Sequence, residues 1–162
     1  MTMRLRKLIV GTLFLATTVT SVAEPPTLDT SVKTLLSKFE ERKDDVYLAL
    51  ALNRCAALLG VIQGVLKRDA NKDVYLGTPE RLQDVAWTLI YRKLKERGVN
   101  VDDEARQESI SNDIEDEFMD FVRAYSSRME ANRKTSGDMW SSDSLITSDL
   151  TSCEDIASAV NN

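Results

Sequence analysis

The run from Val46 to Leu66 decides most of what this chain can become. It is apolar nearly all round, interrupted only by Asn53, Arg54 and Gln63. A helix without a polar face is either the centre of a bundle or a membrane span. The length permits a span, but an arginine near the middle costs about 2.5–3.5 kcal/mol at the bilayer centre. Ala49, Ala51, Ala56, Ala57, Gly60 and Gly64 lie along the same run and would let neighbouring helices approach closely. The run is therefore read as the buried central helix of an all-α fold, with no integral membrane span in the mature chain.

Cys55 sits inside this run, and the second of the two cysteines is Cys153. Their use depends on compartment, which the first residues address. Arg4, Arg6 and Lys7 precede the apolar run Leu8 to Val19, and Ser21-Val22-Ala23 offers small residues for a signal peptidase. Residues 1–23 read as a secretory signal peptide cleaved after Ala23, leaving a single helical domain over 24–162. Export to the periplasm or the medium is the expectation. In such an oxidising compartment the simplest use of two cysteines is a Cys55–Cys153 disulfide, which would fasten the last helix to the core.

Cleavage removes three of the 21 basic residues and none of the 26 acidic ones, leaving 18 against 26 and a net charge of −8. Such a chain repels phosphate backbones, so no nucleic-acid partner is expected.

The mature chain reads as helices throughout. Val32, Leu35, Leu36 and Phe39 recur at helical spacing, and the charged run Glu40 to Asp45 is read as a solvated turn of one long helix. Thr78-Pro79-Glu80 marks a helix start, with Thr78 as cap, and Gly98 marks its end. Leu82, Val85, Ala86, Leu89, Ile90 and Leu94 form that helix's buried stripe, with Trp87 at its edge. Asn100 or Asp102 is expected to cap a long helix reaching about Arg133. Its stripe is Ile110, Ile114, Phe118, Phe121, Val122, Tyr125 and Met129. Lys134 to Ser144 reads as a linker, followed by a last helix with Leu150, Cys153, Ile156, Ala157 and Val160 inward. The fold class is an antiparallel bundle of four or five helices with one disulfide.

The sharpest local pattern is Asp69 to Glu80, DANKDVYLGTPE. It resembles the twelve-residue calcium loop of the EF-hand family. That resemblance implies calcium held by the side chains of Asp69, Asn71, Asp73 and Glu80 and the backbone carbonyl of Tyr75. Val74 stands where the family has glycine, Pro79 is unusual inside such a loop, and no second hand is visible. The favoured reading of the segment is a polar interhelical turn that caps the next helix.

Acids crowd the fourth helix: Asp102, Asp103, Glu104, Glu108, Asp113, Glu115, Asp116, Glu117 and Asp120. They read as a solvated face, with docking of a cationic partner as the functional alternative. The chain holds no histidine, which removes Ser-His-Asp catalysis and histidine-bound zinc. No phosphate-cradling glycine loop and no CxxC pair occurs. The expected function is that of an exported, non-catalytic helical protein that binds or scaffolds another envelope or secreted protein. Calcium binding through 69–80 and a carboxylate-dependent cell-wall hydrolase are the alternatives.

Overall fold

A computed structural model describes residues 28–70 and 79–161. Within them the chain forms five helices: α1 (Val32–Arg42), α2 (Asp45–Ala70), α3 (Pro79–Glu96), α4 (Glu104–Ser136) and α5 (Ser144–Asn161). They pack as a helical bundle carrying one disulfide. Residues 1–23, where the sequence predicts a signal peptide, lie outside the described residues.

α2 is the hub, packed against each of the other four helices. Ala49, Ala51, Leu52, every residue from Cys55 to Leu59, and Ile62 are buried along it. By length and composition the segment Asp45–Arg68 could cross a membrane. In the bundle 61% of its apolar window is buried, and each fully buried leucine contributes about 2 kcal/mol of transfer free energy. Val32 and Leu35 of α1, Leu82, Ala86 and Leu89 of α3, Phe121, Tyr125 and Met129 of α4, and Ile146 and Ala157 of α5 complete the main core.

A second, smaller cluster lies apart from it. Val101, Ile110 and Ile114 are buried against Trp87, Ile90, Tyr91, Leu94 and Val99. It joins the carboxyl-terminal half of α3 to the amino-terminal half of α4.

Several boundaries differ from the sequence expectation. The charged run Glu40 to Asp45 breaks the helix rather than continuing it. Lys43 turns into the left-handed region (φ 51°) and its N–H reaches back to the Phe39 carbonyl at 2.7 Å, closing α1. That turn lets α1 fold back on α2, burying Val32 and Leu35, which a single straight helix could not do. The cap of α4 is Asp103 rather than Asn100 or Asp102; its side chain accepts from the Arg106 N–H at 3.0 Å. α4 runs to Ser136 and stops at Gly137, whose φ of 77° is cheap only without a Cβ. The link to α5 is therefore shorter than the polar stretch suggests, and Trp140 within it packs on the main core. Pro79 does open α3 and Gly98 (φ 77°) does end it. Gly60 and Gly64 mark no close helix contact, because a Cβ at either would meet nothing within 4 Å. The small residues that α2 does bury completely are Ala49, Ala51, Ala56 and Ala57.

Candidate functional site

Two kinds of polar architecture occupy this bundle, one sealed and one open. The sealed one centres on Arg54. A charged residue in the middle of an apolar helix must be paired or it destabilises the fold, and here the guanidinium and its partners are almost fully buried. Arg54 Nη2 donates to Asp149 Oδ2 at 2.5 Å, and its Nε donates to the Tyr125 hydroxyl at 2.8 Å. Nη1 donates to the Thr30 carbonyl. Tyr125 in turn donates to Asp149 Oδ2 at 2.6 Å. The other carboxylate oxygen, Oδ1, accepts the Val32 N–H at 2.8 Å and so holds the amino end of α1. Phe121 and Tyr125, one turn apart on α4, present their rings to the guanidinium at 5.7 and 5.5 Å, a cation–π arrangement. Burial pushes the Tyr125 hydroxyl far above its ordinary range, so it stays a neutral donor.

The disulfide belongs to the same joint. Cys55 and Cys153 are bonded, with their Cα atoms 5.2 Å apart and a sequence separation of 98. Arg54 and Cys55 are neighbours on α2, while Asp149 and Cys153 are one turn apart on α5. The ion pair and the covalent bond therefore clamp the same two helices side by side.

Asp143 makes a second joint at the start of α5. It accepts the Leu145 and Ile146 N–H groups at 3.0 and 3.2 Å, which caps the helix. From α4, Arg128 donates to it at 2.6 Å and Asn132 at 2.8 Å. Burial alone would raise its carboxyl; these donors outweigh burial and hold it at about 2.

The open feature is a solvent-facing groove of about 470 Å³ between α3 and α4, lined by Trp87, Thr88, Tyr91, Arg92, Lys95 and Gln107. Trp87, Tyr91 and Lys95 follow one another at intervals of four along α3, hence on one face. The two aromatic rings stack at 5.5 Å, and the small core fixes them from behind. Tyr91 donates to the Val101 carbonyl and accepts from Gln107 Nε2 at 3.0 Å, which fixes the floor and one wall. Arg92 is paired with Asp45. Among the described residues, no carboxylate pairs with Lys95 and no acceptor meets the Trp87 indole N–H. A second depression of about 460 Å³, between α1 and α5, is lined by Lys33, Ser148, Thr151, Ser152 and Asp155 with Leu36 and Ile156. It carries both signs of charge and no aromatic platform.

The predicted bridge residues Cys55 and Cys153 are thus brought together and buried. Of the calcium-loop residues, Glu80 lies exposed in the first turn of α3. The side chain of Asp69, and Asn71, Asp73 and Tyr75, lie outside the described residues. The acids of α4 are mostly exposed, as a solvated face requires. Glu117 and Asp120 are only partly exposed; the Glu117 carboxyl is raised by burial, an effect the Asn53 amide at 2.9 Å partly offsets. The Asn53 Oδ1 atom is buried without a hydrogen-bond partner among the described residues. Among the described residues, no group of three or more side chains is arranged to hold a metal ion.

Sequence reasoning missed Asp149, Tyr125 as its partner, and the Arg128–Asp143 joint. One signal was available: an arginine inside an apolar helix demands a buried acid, and Asp149 stands one turn before Cys153 on an otherwise apolar face. Trp87 sits at the edge of the α3 stripe, as its spacing predicts, and also forms part of the floor of the open groove. The chain matches no protein-family model, no curated protein and no solved structure.

Proposed function

We propose that this protein is an exported, non-catalytic helical module that docks another envelope or secreted protein, and that the α3–α4 groove is the docking face. The observation that carries the reading is the stacked Trp87–Tyr91 pair, presented to solvent at the floor of that groove. Aromatic residues and arginine dominate the energetics of protein interfaces, because they combine large apolar area with a polar edge. The most deeply buried charges, Arg54 and Asp149, are spent on each other, which leaves the groove as the face with binding capacity to spare. A buried disulfide and the amino-terminal leader both support export.

The test is photo-crosslinking in the native envelope, followed by mass spectrometry. A photoreactive amino acid replaces Thr88 on the groove rim, and a control replaces Lys33 beside the other depression. The reading expects one discrete protein adduct from position 88 that disappears with Trp87→Leu, and none from position 33. Equal labelling at both positions, or no adduct from position 88, overturns it.

A further inference from the structure

Resting on that docking reading, we propose that the groove's occupant is an acidic peptide segment of the partner, with an apolar side chain laid on Trp87 and Tyr91 and a neighbouring carboxylate paired with Lys95. Charge and unmet donors in the groove favour such a segment. The chain as a whole is acidic, at a net −5, yet the six residues lining the groove include two cations and no carboxylate. The other depression, by contrast, contains Asp155 opposite Lys33.

Within the groove the free hydrogen-bonding capacity is mainly that of donors. Lys95 has no carboxylate partner and the Trp87 indole N–H no acceptor among the described residues. Tyr91 is already engaged on both sides, by Val101 and Gln107. Arg92 is more than half exposed but its charge is answered by Asp45, so the uncompensated cation of the lining is Lys95. Donors and positive potential beside a flat apolar floor match an anion attached to an apolar group. In an extended peptide, an apolar side chain and an adjacent acidic one supply that pair within a few ångströms of each other.

The experiment uses the mature protein with Trp140→Phe, so that Trp87 is the only indole, and follows its fluorescence during titration. The probes are the blocked peptides EEFEE, QQFQQ and KKFKK, together with tri-galacturonate as an anionic glycan. EEFEE is expected to change the Trp87 signal saturably, to bind several-fold more tightly than QQFQQ, and to weaken as salt rises. Lys95→Glu should weaken EEFEE about tenfold and turn the preference towards KKFKK, in keeping with the behaviour of interface charges. Trp87 cannot report its own loss, so Trp87→Leu is followed by calorimetry and should abolish binding while the circular dichroism spectrum is retained.

Equal affinity for QQFQQ and EEFEE, or an unchanged preference in Lys95→Glu, overturns the acidic-peptide inference while leaving docking at the groove standing. Saturable binding of tri-galacturonate without binding of EEFEE overturns it in favour of a glycan. If no probe perturbs Trp87 while the adduct from position 88 persists, only the inference about the occupant fails. If that adduct is also absent, the docking reading fails with it.

Discussion

The α2–α5 joint and the α3–α4 groove put similar residue types to opposite use. Both bring an arginine and tyrosine beside other aromatic residues. In the joint, Arg54, Tyr125 and Phe121 are sealed from water and each polar group meets a protein partner. In the groove, Arg92, Tyr91 and Trp87 stand at the surface with donors left over. The difference lies in what a substitution can damage. A sealed polar cluster can be altered only at the cost of stranding a charge in a low-dielectric interior, whereas an open one exchanges its lost partner for water.

The sharpest way to break the comparison is Asp149→Ala. It strands the Arg54 guanidinium, the Tyr125 hydroxyl and the Val32 N–H together, and should destabilise the fold by about 3–5 kcal/mol, measured by chemical denaturation. Replacing the pair jointly, Arg54→Met with Asp149→Leu, should recover part of that loss, since no buried charge remains. A double variant less stable than Asp149→Ala would show that the joint is held by geometry rather than by charge balance.

Next in size is the disulfide. Cys55→Ser with Cys153→Ser should cost about 2–4 kcal/mol, because the bridge closes a long loop in the unfolded chain. The effect should not simply add to that of Asp149→Ala, since both act on the same contact between α2 and α5. Equal melting temperatures for the reduced and oxidised protein would remove the bridge from the account.

Acid reads out the second joint. Asp143 is held at about 2 in the folded protein, against an ordinary value of 3.8. A carboxyl with a lowered folded value contributes stability above its unfolded value and loses it as pH falls through the folded one. The contribution, about 1–2 kcal/mol, should therefore be present above pH ~4 and disappear between about 4 and 2. Asp143→Asn should flatten that part of the stability profile. Glu117 runs the other way: its raised carboxyl favours the folded state most when protonated, so its contribution fades as pH rises through its folded value.

How much of this was legible follows from what kind of information each feature needs. The helical segments, though not the division of the first into α1 and α2, and the Cys55–Cys153 bridge are legible because helical periodicity and a lone cysteine pair are properties of the chain itself. The break at Lys43 was not, since a left-handed lysine is set by the return of α1 onto α2 and not by local preference. Nor did the acids of the carboxyl-terminal third announce which one answers Arg54. Asp149 and Asp155 sit six positions apart on the same helix, and only packing makes the first fully buried and leaves the second exposed. The groove was hidden for the same reason. Trp87 belongs to a plausible core stripe, and its exposed edge appears only once α4 is placed across α3.

The smallest expected effect completes the comparison, because it separates the regions in kind. Lys95→Glu should cost no more than about 1 kcal/mol of stability, the size of the unfavourable charge it places in the last turn of α3. Lys95 is exposed, pairs with no carboxylate among the described residues, and touches a terminus only as one of two cations in the last turn of α3. The same change reverses the charge of the groove's open end, so its consequence should be read in binding and not in melting. Arg54 offers the mirror image, with a large effect on folding and no surface through which to act on a partner directly. A loss of stability at Lys95→Glu comparable to that at Asp149→Ala would mean that the groove, too, is a structural joint, and the division between a sealed frame and an open face would no longer hold.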